Sequence, residues 1–530
     1  MFRVLFWLIV GFLFSQEKTI MPYDWSGHQG YVNIYGKYMW NQDWTSGPFF
    51  FDGTFASYPS LFGPEIESGF INFNPDSLLL DTSTVTSYFD YVQGDYYLDK
   101  LAIAAEYTGN GRYCHLHGFK RTYAGAYNQY TPLNTAPRPI QQTYTAHYVS
   151  KKDQDEASVA IGYFNTNSGL PDTVGKSLID SRITSSNLYW NHSAEPFFFK
   201  LEGNNFLQRY NTDHSMALTN RVRYLTRSRY HGSFNWKHDE NMTLSFNVTA
   251  NGRVLRDTLF KAMTWNELVL AGNYSFLSLK TGIVRTRDQT QWVAKGSANF
   301  QWRDLSITAQ LDRDVVPVHV SLTDSLALET WDRLGISGQW NLSKLSFTAW
   351  IFRNQYSRDL NLGNSYPPKS GSNIWIAGDL AAKLKETWFL SIQYEHQGLN
   401  GFISDGIGDR INIKILGQHK LFKGNLNLST SLSLHGWLNR EYHSVIHPVE
   451  FYPVNWTSDD DLMDKWFVNL FIIAQVRSFM LKYELHNVAQ ILNSFSFIDL
   501  GTSDFTLDVN PFFPPNRRLA SLSLEWHFID

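Results

Sequence analysis

The chain has 530 residues, a formal net charge of −4 and an aromatic share of 16 %, with 18 Trp, 28 Tyr and 38 Phe. Mean hydropathy is −0.30, and after the N-terminus no stretch approaches the roughly 18 uninterrupted apolar residues that a spanning helix needs. This composition excludes a bundle of transmembrane helices, and the small net charge gives no reason to expect a nucleic-acid partner.

Residues 1–15 are predicted to be a signal peptide. Arg3 precedes the apolar run from Val4 to Phe14, and Ser15 follows that run. A basic start before a short apolar run is typical of export signals, and this run is too short to span a bilayer. We predict cleavage after Ser15, although Leu13 is not the small residue that signal peptidase prefers there.

Residues 16–84 are predicted to form an N-terminal extension. They lack clean alternation of apolar and polar residues and are rich in Gly, Pro and aromatic residues, as at 46–51 and 60–64. We expect this segment to be either a plug folded into a lumen or a periplasmic segment, with a few short strands possible.

From residue 85 to residue 530 the chain alternates regularly. In 242–250 every even position is apolar and every odd position is small and polar, and 230–237 alternates in the same way after a break of only three residues, 238–240. Period-two alternation predicts strands with one apolar and one polar face. The pattern predicts an all-β fold, a large antiparallel transmembrane β-barrel of roughly 22 strands, with a range of about 18 to 24 and an even count.

The connections between these runs alternate in length. Short connections include 303–304, 341–344 and 477–478, whereas 204–228, 251–264 and 438–464 are predicted to be long loops. Outer-membrane barrels have short periplasmic turns and long extracellular loops. The alternation therefore predicts a Gram-negative outer-membrane protein with its short turns in the periplasm and its long loops outside the cell.

A set of aromatic residues lies on the apolar faces, beside the short turns or the C-terminus. Amphipathic rings collected at one height predict an aromatic girdle at a membrane interface. A soluble β-sandwich or propeller gives no reason for Trp to collect at one end of its strands. The girdle residues are Tyr148, Trp190, Trp236, Trp302, Trp340, Trp388 and Trp526.

Two stretches of the sequence resemble a known family. One runs from Tyr88 to Asn165 and contains Gly-Phe-Lys-Arg-Thr-Tyr-Ala-Gly-Ala-Tyr-Asn-Gln at 118–129, ahead of a Tyr-rich hairpin; the other is the C-terminal segment 514–528. Both resemble the Bacteroidetes-type porin family of outer-membrane β-barrels. The C-terminal segment also resembles the closing strand of TonB-dependent receptors.

The resemblance implies an outer-membrane barrel that the barrel assembly machinery recognises through its last strand. The chain departs from the pattern at its end, which is Phe528-Ile529-Asp530 rather than the aromatic residue itself. The segment before residue 85 is too short for the plug of a standard TonB-dependent receptor. This argues against a complete transporter of that kind.

Charged residues on the inward faces are the candidate pore residues. They can tune ion or solute selectivity, or they can be paired filler that keeps the interior solvated without conducting anything. Both signs are present, so strong ion selectivity does not follow. The candidates are Lys200, Glu202, Arg229, His231, Lys237, Lys295, Asp312, Glu395, Lys414, Arg477, Lys482 and Glu484, with Glu525 on the same kind of face.

We predict no catalytic residues, no cofactor-binding residues and no metal site. His115 and His117 share a strand face, but two histidines without an identifiable third ligand favour ordinary packing. The acidic run 459–461 with Asp464 does not have EF-hand spacing and is predicted to be a solvated loop. No Gly-x-Ser-x-Gly or His-Glu-x-x-His motif is present. The single cysteine, Cys114, permits no intrachain disulfide.

These features predict a porin-like channel for passive diffusion of small hydrophilic solutes, which is not an enzyme. The alternative is a non-conducting barrel that acts as a receptor or scaffold component of a surface complex, with its lumen plugged by the N-terminal segment. A third possibility is an outer-membrane hydrolase with an Asp/His or Ser/His pair at its rim. The expected partners are outer-membrane lipid, the barrel assembly machinery and small hydrophilic solutes.

Overall fold

A computed structural model provides the three-dimensional structure of the chain. The residues that it describes are 19–20, 31–34, 37–40, 83–125, 127–128, 131, 139–169, 178–212, 221–239, 241–256, 260–317, 328–358, 370–397, 409–439, 444–446, 453–455, 464–488 and 518–529.

Twenty-two of the described strands form a single barrel wall. They are β4 (Thr84–Gly94), β5 (Asp99–Gly109), β6 (Arg112–Thr122), β7 (Ile140–Lys152), β8 (Asp155–Gly169), β9 (Leu178–Ala194), β10 (Phe197–Thr212), β11 (Arg221–Lys237), β12 (Met242–Arg256), β13 (Phe260–Tyr274), β14 (Leu277–Arg285), β15 (Thr290–Trp302), β16 (Leu305–Pro317), β17 (Leu328–Asn341), β18 (Leu345–Arg358), β19 (Ser370–Lys385), β20 (Trp388–Gln397), β21 (Asp409–Leu421), β22 (Leu426–Leu438), β25 (Lys465–Val476), β26 (Phe479–His486) and β27 (Leu519–Ile529).

Five shorter strands lie outside that wall. Three of them, β1 (Thr19–Ile20), β2 (Tyr31–Ile34) and β3 (Lys37–Trp40), form a small antiparallel sheet in the N-terminal extension. The other two, β23 (Ser444–Ile446) and β24 (Pro453–Asn455), pair with each other in the connection between β22 and β25. A 3-10 turn at Phe422–Gly424 joins β21 to β22.

The barrel is closed. Each of its strands pairs antiparallel with its neighbours in sequence order, and β27 pairs with β4 from Ser521↔Gly94 to Ile529↔Thr86. Closure satisfies the backbone groups of both terminal strands, which no open sheet can do within a bilayer. The predicted fold class and the strand number of 22 are confirmed. Among the described residues, no helix is long and apolar enough to cross a membrane.

Alternation along each strand gives the barrel two chemically different faces. On β17, for example, Leu334, Ile336 and Trp340 are exposed on the outer surface, whereas Gly335 is buried. Successive residues of a strand point to opposite faces, and directly opposed residues of paired strands share a face. The register therefore assigns every strand position either to the outer surface or to the lumen.

Several strands are longer than their apolar pattern predicts. The segments 204–228 and 251–264 are largely strand: β10 continues to Thr212, β11 begins at Arg221, β12 ends at Arg256 and β13 begins at Phe260. The prediction of long loops there was wrong, because polar residues interrupt the apolar alternation while the backbone ladder continues. A ladder needs paired N–H and C=O groups and not an apolar outer face.

Most of the short turns lie at one end of the barrel, whereas the short connections 95–98 (β4–β5) and 286–289 (β14–β15) lie at the other end. Residues Arg303 and Arg477 occupy two such turns with left-handed backbone angles, φ 53° and φ 52°. In the β11–β12 turn, Oδ1 of Asp239 accepts the backbone N–H groups of Asn241 at 2.7 Å and Met242 at 2.8 Å. We call this the short-turn end and the opposite end of the barrel the long-loop end.

Candidate functional site

The inward face of β10–β17 carries a dense group of charged side chains. Their backbone positions adjoin one another across the strand register, as in the row Glu202, His231, Thr249 and Glu267 on β10–β13. We call this group the charged wall. It consists of Lys200, Glu202, Arg229, His231, Glu267, Lys280, Lys295, Asp312, Asp314 and Arg333.

Glu202 is the centre of a buried hydrogen-bond network in this wall. Its side chain is only 4 % exposed, and its Oε2 atom lies 2.9 Å from Nζ of Lys200. The side-chain amides of Asn204 and Asn187 donate to Oε1 at 2.8 and 3.3 Å. Three donors on one carboxylate fix its position.

The other half of the charged wall contains two opposed lysines. Lys280 of β14 lies directly opposite Lys295 of β15. Nζ of Lys295 lies 2.8 Å from Asp314, and Arg333 approaches Asp312 at 3.6 Å. Like charges directly opposite each other across a ladder repel, and the ion pair of Lys295 with Asp314 offsets part of that repulsion.

Two cations of the wall, Arg229 and Lys280, lack an ion pair with a carboxylate among the described residues. Lys280 is near the positive charges of Lys295 and Arg229 and the negative charges of Asp314 and Glu267. The wall therefore offers unpaired positive charge to a solute in the lumen, although five cations and four carboxylates leave it close to neutral.

Six of the predicted pore residues belong to the charged wall. They are Lys200, Glu202, Arg229, His231, Lys295 and Asp312. The prediction missed Glu267, Lys280, Asp314 and Arg333. Alternation could have found Glu267, because its neighbours Asn266 and Leu268 are on the outer face.

A second group of inward charges lies near the closure of the barrel. Lys482 of β26 forms an ion pair with Glu525 of β27, and Nζ of Lys100 lies 3.3 Å from Asp90 on the neighbouring strands. Glu484 lies 3.6 Å from His486. These charges are paired, as expected of lumen filler.

The remaining predicted pore residues are scattered. Lys414 lies on β21, opposite Ser391 and Ser433, and Lys237 is the exposed last residue of β11. Arg477 lies in the β25–β26 turn and not on a strand face. For Glu395 the structure describes the backbone in β20 but not the side chain.

Three buried histidines line the lumen at β6 and β7. The rings of His115 and His117 stack at 6.4 Å between centroids, and His147 lies opposite His115. Nε2 of His147 lies 2.8 Å from the hydroxyl of Ser158. Within the described part of the chain, no group of three or more His, Cys, Asp or Glu residues could hold a metal ion. The acidic run 459–461 lies outside the described residues.

Two pairs have the residue types that a hydrolase would use. One is His147 with Ser158, which is buried in the lumen wall. The other is His396 with Asp409 at the long-loop end, where Asn439 also donates to Asp409 at 2.6 Å. The second pair lies where β20 ends and β21 begins, which suits a structural contact that fixes the two strand ends.

The outer surface carries the apolar belt that a lipid environment requires. Large apolar side chains are exposed on the outer face all around the barrel, for example Leu188, Leu270, Leu334, Leu432 and Leu522. A soluble protein rarely exposes contiguous apolar surface on this scale. The belt and the closed wall together are those of an outer-membrane barrel.

The predicted girdle residues all lie on the outer face, toward the short-turn end. Five of them are exposed and two, Trp236 and Trp388, are half-buried. Trp388 covers Gly417 of the neighbouring strand, where an added Cβ would lie 2.9 Å from the indole ring. Trp526 stacks on Phe528 at 4.7 Å. Their role at a membrane interface remains a prediction.

Comparison with known proteins gives matches to solved structures alone. No family model and no curated protein matches the chain. The FrpB iron transporter from Neisseria meningitidis (F3-3 variant) matches with a TM-score of 0.63 and 9 % identity over 86 % of this chain and 84 % of that one. The siderophore receptor PirA from Pseudomonas aeruginosa matches with a TM-score of 0.60 and 10 % identity, over 85 % and 81 %.

A third match is similar. The alcaligin outer-membrane receptor FauA from Bordetella pertussis has a TM-score of 0.57 and 10 % identity, over 85 % of this chain and 76 % of that one. At these identities the likeness concerns the fold. The chain thus has the closed 22-stranded architecture found in outer-membrane receptors.

Proposed function

We propose that this protein is a receptor-type transport barrel of the outer membrane, whose lumen is closed to free diffusion at rest. The observation that carries the proposal is the closed wall of 22 strands. Porins with an open aqueous channel have about 16 to 18 strands, whereas 22-stranded outer-membrane transporters have a plugged lumen. The receptor alternative is therefore better supported than the passive porin that the sequence favours.

The comparisons support the same proposal. The solved structures that match over most of their length are named as an iron transporter and as siderophore receptors. None of these names describes a porin or an enzyme. By this likeness we assign the chain a role in receptor-mediated uptake and not in hydrolysis.

The lumen wall suits a hydrophilic solute. It presents charged and amide side chains toward the interior, with unpaired positive charge at Arg229 and Lys280. Preformed polar groups lining a passage set which solutes it accepts. We assign the charged wall to contact with the transported solute.

We further propose the topology that follows from this role. The short turns face the periplasm and the long loops face the medium, as in other outer-membrane barrels. Residues 16–84 follow the signal peptide and are the segment assigned to closing the lumen. The last strand, β27, is the segment that the barrel assembly machinery recognises.

The test is single-channel conductance in planar bilayers, with the mature protein and with a variant that lacks residues 16–84. The mature protein is expected to be silent or nearly so, because its lumen is occupied. The truncated protein is expected to conduct steadily, because a 22-stranded wall encloses a wide passage. Heat-dependent gel mobility, measured for both proteins, establishes that each barrel is folded.

Two outcomes contradict the proposal. Steady, large conductance of the mature protein would restore the passive diffusion channel. If neither protein conducts although both barrels are folded, residues 16–84 are not the plug. A matched control is a variant with Lys237→Gln at the short-turn end, which should leave the mature protein silent because it changes no part of the N-terminal segment.

A further inference from the structure

A continuous polar row crosses the outer surface of seven neighbouring strands. Each member lies directly opposite the next in the register, from β6 to β12. We call it the basic row. Its members in order are Lys120, Gln142, Asn165, Arg182, Arg209, Tyr224 and Arg256.

The two central arginines are held side by side by one carboxylate. Nε of Arg182 lies 3.1 Å from Oδ1 of Asp180, and Nη1 of Arg209 lies 2.7 Å from Oδ2. The arginine side chains remain 54 % and 34 % exposed, whereas that of Asp180 is 12 % exposed. Asp180 thus orients two guanidinium groups toward the outside while neutralising only one of them.

The rest of the row adds charge and hydrogen-bonding groups. Lys120 and Arg256 are exposed and, among the described residues, make no ion pair with a carboxylate. The side-chain amide of Asn165 donates to the amide oxygen of Gln142 at 3.2 Å, which holds the two amides side by side in the row. The row therefore presents four cations against one acid, with neutral donors and acceptors between them.

The cations of the outer face are unevenly distributed around the barrel. Beyond the basic row, Arg285, Arg313 and Arg353 lie on the outer face of β14, β16 and β18. On the outer face of β20–β22, β25–β27, β4 and β5, as far as those strands are described, no position is Lys or Arg. A general need for solubility at the rim would distribute cations on all sides. The uneven distribution favours an anionic partner on the side of β6–β18, where the basic row is the part in which polar residues follow one another strand by strand.

Apolar side chains adjoin the row on the side of the short turns. Tyr144, Tyr163 and Leu207 lie two residues further along their strands, and all three are exposed. Leu188 and Ile161 continue the exposed apolar surface. A cationic row next to an apolar surface is complementary to a lipid whose anionic headgroup is joined to acyl chains.

We propose that the basic row binds a phosphate-bearing membrane lipid of the leaflet at the long-loop end. Arginine forks bind phosphate oxygens in a bidentate manner, which lysine cannot do. Arg182 and Arg209 hold the phosphate, Lys120 and Arg256 attract further anionic groups, and the amides with the Tyr224 hydroxyl bind the neutral hydroxyls of the headgroup. The acyl chains lie along the exposed apolar residues below.

The experiment measures lipid binding to the mature full-length protein in detergent by native mass spectrometry. The probes are diphosphorylated lipid A and the same lipid with both phosphates removed. Wild-type protein is expected to bind the phosphorylated lipid at least tenfold more tightly. The double substitution Arg182→Gln and Arg209→Gln is expected to abolish most of that preference, because each charge-assisted hydrogen bond contributes on the order of a factor of ten.

Two further variants keep the test decisive. The triple variant Arg182→Gln, Arg209→Gln and Asp180→Asn removes the carboxylate that the double variant leaves unpaired, and should lose the same preference while folding normally. Arg353→Gln removes an exposed cation of the outer face of β18 and should bind like wild type. Heat-dependent gel mobility checks that each variant forms a barrel.

The proposal is overturned if wild-type protein binds both lipids equally, or if the triple variant retains the preference. Displacement of the lipid by equimolar inorganic pyrophosphate would also overturn it, because the ligand would then be a free anion and not a membrane lipid. None of these outcomes depends on whether the lumen conducts, so the receptor proposal is judged separately.

Discussion

At the scale of single residues, Glu202 shows how a lumen wall accommodates a buried charge. An isolated carboxylate in a poorly hydrated site is costly, and removal of its partners is costlier than the pairing is favourable. Here Lys200, Asn187 and Asn204 all donate to the same side chain. The carboxylate is therefore the shared acceptor on which three neighbouring side chains depend.

The substitution Glu202→Ala should destabilise the barrel by about 2 to 3 kcal/mol, because it leaves buried donors without an acceptor. Glu202→Gln should cost less, since its amide oxygen still accepts from Asn187 and Asn204. The measurement is the urea midpoint of unfolding in lipid vesicles. Glu484→Ala is the matched control: among the described residues, the basic side chain within ion-pair distance of Glu484 is that of His486 at 3.6 Å, so its midpoint should shift little. Equal shifts for Glu202 and Glu484 would refute the network.

Sequence alternation identifies which side chains face the lumen but not which of them contact one another. Lys200 and Glu202 stand two apart on β10, so their common face follows from the sequence. Asn187 joins them through the β9–β10 register, in which it lies opposite Asn204. A shift of one residue in that register would turn Asn187 to the lipid. The network thus depends on a pairing that the sequence of one strand does not contain.

At the scale of elements, the strands divide into an apolar portion and a polar portion. The apolar portion has a clear alternating pattern and was predicted. In the polar portion of β10 and β11, which includes Arg209 and Arg223, polar residues interrupt the apolar alternation of the outer face. These segments are strands because the neighbouring ladder continues and pairs their backbone groups, which is an interaction between strands and leaves no trace in local composition.

Neighbouring positions of β17 should respond oppositely to a charge. Ile336 is 55 % exposed on the outer face, between Ala309 and Ile351, whereas Ser337 faces the lumen. An arginine on the lipid face near the bilayer centre costs about 2 to 4 kcal/mol, while lumen substitutions alter selectivity. Ile336→Arg should therefore lower the free energy of unfolding by that amount. Ser337→Arg should lower it by less than about 1 kcal/mol.

The measurement for this pair is the denaturant midpoint in vesicles of one lipid composition. The two variants differ by one position and carry the same new side chain, so each is the control for the other. If Ser337→Arg proves the more damaging, the two faces of β17 have been assigned the wrong way round.

At the scale of the whole molecule, strand number and closure have different origins. The count of about 22 was predictable because each strand carries its own alternation. Closure joins β27 to β4, and the backbone N–H of Ala520 donates to Oδ2 of Asp95 across 425 residues of sequence at 3.0 Å. The Asp95 carboxylate also lies 3.7 Å from Arg518. No local sequence pattern predicts a contact between residues so far apart in the chain.

Closure makes a register-specific prediction for a disulfide. Ser523 of β27 lies directly opposite Val92 of β4, and opposed residues of antiparallel strands have Cα atoms about 4.5 to 5.5 Å apart, within reach of a disulfide. In a Cys114→Ser background, which removes the natural thiol, Ser523→Cys with Val92→Cys should oxidise to a covalent ring. The cyclised chain should migrate differently from the open chain on a denaturing gel, and reductant should restore the original mobility. The offset pair Ser523→Cys with Tyr91→Cys places the thiols on opposite faces and should stay open.

Two outcomes would contradict this register: cyclisation of the offset pair, or failure of both pairs to cyclise in folded protein. Either outcome would show that β27 and β4 do not pair in this register and would remove the basis for the 22-stranded wall.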